Sequence, residues 1–349
     1  VSKKVFIFNL NVGSAIEYAG EIFIQWVQDI EDDISIKVYK EQTTVVHTMN
    51  ALNSFKPDLI VVNEEYHRVF VCVVMYKIHN PDVKVIYVNH CWPDTTSFRT
   101  PRLTRGQNDD YEAMWNTEML RIVDHMFCIN SKPSDVEWLE AIGGRVSNRY
   151  YPTDDKCFKV ITPWNERKMF FYIGNIIPHK LSQEFLDKIV DTDIKIDCYG
   201  KVNGNWCTND YIDSFDKAWK AGNINWLGYV PQDKVPEIMN SYKYLVMPHR
   251  GYEPFNWVLK QCMYCGTIPL VTNDRQATTY YGKWIDWAEG LYLGCVHTDD
   301  FISNLIELEE TRPDHSGISE YLTYEVRRRF PYQEFKEEFQ EKVRELVHG

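Results

Sequence analysis

Glu253 and Gln261 stand eight residues apart in one stretch, Tyr252-Glu253-Pro254-Phe255 through Gln261-Cys262-Met263-Tyr264-Cys265-Gly266-Thr267. At about 3.6 residues per turn that spacing is a little over two helical turns. The stretch reads as an acid at the mouth of a helix of about three turns, a glycine at its end, then a buried strand over Thr267–Val271. A ligand lying across the helix start would meet Glu253 first and Gln261 further along the same side. Lys180 closes a second candidate segment, Gly174-Asn175-Ile176-Ile177-Pro178-His179-Lys180, which follows an apolar run. A lysine at a helix start adds a point charge to backbone N–H groups that already favour phosphate. A third candidate is His90, which closes the run Tyr87-Val88-Asn89-His90. Each has an ordinary structural reading beside the chemical one. Glu253 could be a helix-start acid gaining ~0.3–1 kcal/mol from the macrodipole, Gln261 a polar residue late in a helix, Lys180 a solvated loop residue and His90 a packed surface histidine.

The elements that must position these residues alternate along the whole chain. In the first half, strands are expected at Val5–Leu10, Ser35–Tyr39, Asp58–Val62, Val83–Val88 and His125–Asn130, with amphipathic stretches such as Glu17–Ile30 between them. In the second half they are expected at Lys168–Ile173, Ile194–Tyr199, Ile224–Leu227, Tyr244–Met247 and Thr267–Val271. Strands alternating with helices imply parallel sheets covered on both faces, an α/β fold of two Rossmann-like, doubly wound domains. The polar segment Pro163-Trp164-Asn165-Glu166-Arg167 sets the expected boundary, giving domains at 1–163 and 164–331. Phe335, Phe339, Val343 and Leu346 recur at helical spacing, so 332–349 is expected as a terminal amphipathic helix packing back on the first domain. Two such domains facing each other would bring their strand carboxyl ends to a shared cleft, where open α/β sheets bind ligands.

Composition narrows the classes of function. A chain of 349 residues suits about two domains, and 44% hydrophobic with 25% charged residues is ordinary for a globular protein. No apolar run approaches the ~18–20 residues that span a bilayer, so a cytoplasmic protein is expected. Nine scattered cysteines suggest reduced core thiols. Cys262-x-x-Cys265 has metal-like spacing but lacks a second pair, and structural zinc takes four ligands. A net charge of −12 argues against a uniformly nucleic-acid-coating surface while leaving room for a local basic cleft.

The Glu253-to-Gln261 stretch resembles the Glu-x7-Glu donor motif of retaining GT-B glycosyltransferases, with Gln261 in place of the second Glu. The Gly174-to-Lys180 loop is similar to that family's diphosphate loop, where Lys180 matches and Asn175 replaces an Arg. His90 resembles the family's strand-end histidine facing the donor sugar, and Gly13 its acceptor-side glycine loop. Asp154 and Phe158 resemble parts of an interdomain signature. The resemblance implies a GT-B fold and transfer of a hexosyl or pentosyl group from a nucleotide-sugar to a hydroxyl, with retained configuration. It implies Glu253 on the sugar hydroxyls, Gln261 on the ribose and Lys180 on the diphosphate, with no cofactor or metal beyond the nucleotide-sugar co-substrate.

The resemblance extends to phage DNA α-glucosyltransferase, which implies duplex DNA with hydroxymethylated bases as an acceptor and, for a phage-encoded chain, the host cytoplasm. Local support is Phe98-Arg99-Thr100-Pro101-Arg102-Leu103-Thr104-Arg105, with Arg327-Arg328-Arg329 as a second basic spot. Such clusters supply phosphate contacts that position a duplex, and a stacked base must be flipped out to react. Rival readings are a surface-glycan or small-molecule acceptor, a non-catalytic GT-B-like binding protein, and a metal-dependent GT-A enzyme using Asp191-Thr192-Asp193.

Overall fold

Strands such as Val5-Phe6-Ile7-Phe8 and Leu59-Ile60-Val61-Val62 are buried at every position. That is the signature of parallel strands covered on both faces. The computed structural model describes all residues except 1, 11–14, 31–32, 42–43, 64–66, 91–120, 130–132, 142, 150–151, 250–256 and 273–297. It divides into two units, Val1–Pro152 with Tyr332–Gly349, and Thr153–Pro331.

The strands of unit 1 are β1 (Lys3–Phe8), β2 (Ile34–Tyr39), β3 (Leu59–Val62), β4 (Lys84–Asn89), β5 (His125–Ile129) and β6 (Val146–Arg149). They pair in parallel in the order β2-β1-β3-β4-β5-β6. The chain reverses direction across the sheet between β1 and β3, which makes that gap the topological switch point. Helices α1 (Ala15–Gln28), α2 (Val45–Phe55), α3 (His67–His79) and α4 (Pro133–Ala141) intervene. The sequence reading did not name β6: Val-Ser-Asn-Arg is half-buried throughout and has no apolar run to betray it.

The terminal helix, Tyr332–His348, belongs to this unit. Phe23 of α1 stacks on Phe339 at 5.0 Å, the Trp26 indole N–H donates to the Tyr332 hydroxyl at 2.8 Å, and Gln340 Nε2 donates to the Trp26 carbonyl at 2.7 Å. Arg149 pairs with Glu338, and Lys336 with Asp29.

Unit 2 has β7 (Lys168–Ile173), β8 (Ile196–Tyr199), β9 (Ile224–Gly228), β10 (Tyr242–Met247) and β11 (Ile268–Val271). Their parallel order is β9-β8-β7-β10-β11, with the switch point between β7 and β10. The helices are α5 (Gln183–Ile189), α6 (Asn209–Ala221), α7 (Val235–Asn240), α8 (Trp257–Tyr264), α9 (Thr298–Thr311) and α10 (Ser316–Arg329), followed by the terminal helix of unit 1 as α11.

The boundary lies at Pro152/Thr153 rather than at the expected 163/164. The intervening residues are held by unit 2. Phe158 is buried in its core, Asn240 Nδ2 donates to the Lys159 carbonyl at 2.9 Å, and Ile161 N–H donates to Asn240 Oδ1 at 2.7 Å. A polar loop in sequence is therefore a structural part of the second unit.

Candidate functional site

In unit 1 three strands end on a polar residue. Asn9 follows β1, Asn63 follows β3 and His90 follows β4 directly. All three are buried. Strand order brings them side by side at the carboxyl edge, although 54 residues separate Asn9 from Asn63. His90 Nε2 lies 2.7 Å from Asn63 Oδ1, and Asn63 Nδ2 donates to Asn9 Oδ1 at 3.1 Å. Asn9 Nδ2 in turn donates to Glu21 Oε1 at 2.9 Å and to the Glu17 carbonyl at 3.1 Å. Lys40, just beyond β2, pairs with Glu21 at 2.5 Å. The chain of contacts crosses the switch point between β1 and β3.

Burial pushes the His90 pKa down to about 3, so the imidazole is neutral near pH 7. Gly20 of α1 makes the arrangement possible. A Cβ there would meet Asn9 Oδ1 at 2.0 Å and Asn63 Nδ2 at 2.4 Å. Among the residues that sequence reasoning missed, Asn9, Asn63 and Gly20 stand first. For the two asparagines the available signal was a polar residue immediately after an apolar strand run, the same signal that flagged His90, whereas Gly20 lies inside α1 and carried none.

In unit 2 the carboxyl edge is built from backbone approach. Gly174 follows β7 and Gly200 follows β8, so close that a Cβ on Gly200 would lie 1.8 Å from the Gly174 carbonyl oxygen. Gly174 N–H donates to the Tyr199 carbonyl at 3.0 Å and Ile176 N–H to the Lys201 carbonyl at 2.9 Å. The Tyr172 hydroxyl, donating to the Asn175 carbonyl at 2.7 Å, pins the loop that leads to Lys180. Lys180 lies in a turn two residues before Ser182, the N-cap of α5, whose hydroxyl accepts from Phe185 N–H. Ser182 N–H donates to the Pro248 carbonyl at 3.1 Å, and His249 Nδ1 lies 3.4 Å from the His179 carbonyl. The loop bearing Lys180 thus meets the end of β10 at the second switch point. His249 and Gly200 were also missed, because neither carries a spacing signal.

Helix α8 joins β10 to β11 from the same edge. Gln261 is 2% exposed, and its Nε2 makes no hydrogen bond among the described residues. A buried amide donor left unbonded costs about 1–3 kcal/mol, so such a group calls for a purpose. Next to it, Lys260 is buried with its ammonium 5.6 Å from the centre of the Phe330 ring, and burial lowers its pKa. Gly266 ends the helix region with φ 72°, in the left-handed region that glycine tolerates. Gly13, Glu253 and the Phe98–Arg105 run lie outside the described residues.

Among the described residues, no group of three or more His, Cys, Asp or Glu side chains could hold a metal. Cys262 and Cys265 are buried, and burial raises both thiol pKa values, that of Cys265 to about 12. Asp191-Thr192-Asp193 falls in the turn before β8, at the amino edge of the sheet and away from these residues. The arginine run near the end of unit 2 is committed to structure. Arg328 and Arg329 both pair with Glu325, at 2.7 Å and 2.9 Å. Arg327 lies 3.8 Å from Asp155, donates to the Phe158 carbonyl at 3.3 Å, and covers the Tyr264 ring. No helix among the described residues is long and apolar enough to cross a membrane.

Residues 154–324 match the family of glycosyl transferases group 1. No curated protein matches the chain. Among solved structures, sucrose-phosphate synthase from Thermosynechococcus elongatus is similar with a TM-score of 0.74 and 11% identity, covering 99% of this chain and 99% of that one. Anabaena HepE in complex with UDP gives 0.69 and 14%, over 98% of this chain and 99% of that one. An alpha-glucosyltransferase in complex with UDP gives 0.59 and 13%, over 98% and 99%. At such identities the likeness carries the fold, and that fold is GT-B.

Proposed function

We propose that this GT-B glycosyltransferase, whose residues 154–324 form its group 1 domain, moves a sugar from a uridine diphosphate sugar to a hydroxyl acceptor with retention of configuration. The supporting observation is the switch point of unit 2, where the Lys180 loop meets the end of β10 and α8 carries the unbonded Gln261 amide. Ligands of open α/β sheets bind there. Two of the similar structures are complexes with UDP, which supports uridine as the base.

In this reading Lys180 steadies the diphosphate, Gln261 meets the ribose, Glu253 the sugar hydroxyls, His90 the transferred sugar and Gly13 the acceptor-side loop. The bond from the anomeric carbon to the diphosphate oxygen breaks, and the acceptor oxygen bonds to that carbon while its proton passes to the departing diphosphate. Negative charge grows on the leaving diphosphate, where a fixed cation and backbone dipoles lower the barrier. Without a side-chain nucleophile, the rest of the rate comes from orienting donor and acceptor together, with the acceptor oxygen on the face the diphosphate leaves, as retention requires. The nucleotide-sugar is the only co-substrate in this scheme, with no metal.

For the acceptor, a hydroxymethylated base in duplex DNA now rests on Arg99, Arg102 and Arg105, since Arg327, Arg328 and Arg329 face acids or ring partners within unit 2. That neutralisation and the net charge of −12 favour the second reading, a glycan or small-molecule hydroxyl. The deciding experiment incubates the enzyme with a panel of UDP-sugars, hydroxymethylcytosine duplex, unmodified duplex and small glycans, in excess EDTA. NMR then reads the anomeric configuration of any product. An inverted linkage refutes retention, silence with every UDP-sugar refutes the donor, and sugar on the modified duplex alone restores the DNA acceptor.

A further inference from the structure

The contacts between Glu21 and His90 have a direction. Glu21 Oε1 and the Glu17 carbonyl are acceptors, so Asn9 must turn Nδ2 toward them, at 2.9 Å and 3.1 Å. Its Oδ1 then faces Asn63 and can only accept, which fixes Asn63 Nδ2 on that side at 3.1 Å. Asn63 Oδ1 is left toward His90 at 2.7 Å, and an amide oxygen can bond that nitrogen only when it carries a hydrogen. Each group's orientation follows from its neighbour, with no choice remaining at the histidine.

We propose that Asn63 and Asn9 are positioning residues that relay the acceptor polarity of Glu21 and the Glu17 carbonyl to His90, fixing its proton on Nε2 and its ring in one orientation. Three observations outside the hydrogen bonds support this. Asn9 and Asn63 are fully buried, so water does not compete for their amides. Gly20 gives up a side chain where a Cβ would strike both amides. Lys40 pairs with Glu21 at 2.5 Å, which holds that carboxylate in place at the end of the path. The charged groups along the path are Glu17 and Glu21 on α1 and Lys40 beyond β2, and burial is what holds His90 neutral. A neutral histidine of fixed tautomer presents the same face to a bound sugar throughout the working pH range.

The inference rests on the reading of His90 as a residue at the reacting sugar, and the experiment separates the two. The whole enzyme is labelled with 15N-histidine, and His90→Gln assigns the signal. The expected wild-type spectrum shows the Nε2–H tautomer with no titration between about pH 5 and 9. Asn63→Asp places a carboxylate against the ring and should raise its apparent pKa by about 1–3 units or more. Turnover of that variant should then fall about tenfold for each pH unit below the raised pKa, in kcat with little change in donor KM, while wild type stays flat there. An Nδ1–H tautomer or a titrating His90 in wild type overturns the relay. That spectrum needs no variant, so poor folding of Asn63→Asp leaves the test intact. A titrating ring in Asn63→Asp with an unchanged kcat profile overturns the positioning role. Full turnover of His90→Gln overturns the underlying reading of His90 alone.

Discussion

Gly20→Ala sets two physical effects against each other within one helix. Alanine is the better helix former by about 1 kcal/mol, so propensity alone says the variant gains stability. Packing says the opposite. The new methyl would sit 2.0 Å from Asn9 Oδ1, 2.3 Å from Asn9 Cγ and 2.4 Å from Asn63 Nδ2, distances no Cβ occupies. Either α1 lifts from the sheet or the Asn9–Asn63 hydrogen bond breaks. In the second case a buried donor and a buried acceptor both go unsatisfied, at about 1–3 kcal/mol each. Subtracting the propensity gain leaves a net loss of about 1–5 kcal/mol. Gly317, also helical and with open space around its Cβ position, is the internal comparison. There the same substitution should gain up to about 1 kcal/mol. Hydrogen exchange by mass spectrometry reads both, through the amides of β1 and β3 for Gly20→Ala and of α10 for Gly317→Ala. Faster exchange in the first and equal or slower exchange in the second is expected. Unchanged or increased protection of β1 and β3 in Gly20→Ala would refute the packing argument.

The folded-state pKa of His90 is depressed to about 3, so the unfolded chain binds the proton more readily. Its contribution to stability is therefore full above about pH 6.5 and lost as pH falls toward 3, with about 2 kcal/mol gone by pH 5. His90→Gln should flatten that part of the pH dependence of the urea midpoint, and an unaltered slope would count against it. Lys180→Ala should weaken UDP binding by about 10–100-fold, the worth of a charge-assisted hydrogen bond, and reduce its salt dependence. Calorimetry at low and high salt checks this, and equal affinity removes Lys180 from the donor site. Gln261→Leu removes a buried unbonded amide, so the ligand-free protein should melt at the same temperature or higher while UDP affinity drops. A lower melting temperature with intact UDP binding would make Gln261 purely structural.

Much of the architecture could be read from sequence because parallel strands buried on both faces must be continuous apolar runs. Leu59–Val62 and Tyr244–Met247 leave few other options. Where a strand lies half-exposed, as Val146–Arg149 does, that pressure vanishes and so does the signal. The segment ending at Lys180 likewise follows from the order of residues along the chain, while Glu253 lies outside the described residues. Such local patterns are written in sequence because a helix or a strand end needs only its own neighbours.

Partnership between distant residues is a different matter. Asn9 and Asn63 meet only because β1 lies beside β3, an order set by how two sheet faces are covered and invisible in either segment. The same holds for the neutral state of His90, which depends on what buries it. Arg327-Arg328-Arg329 reads as a basic spot until folding sets Asp155, the Tyr264 ring and Glu325 against it. Sequence by itself determined which residue types stand at the strand ends. Tertiary structure decided which of those groups face one another and with what charge, because a side chain's protonation and pairing are set by through-space neighbours that the chain brings together only on folding.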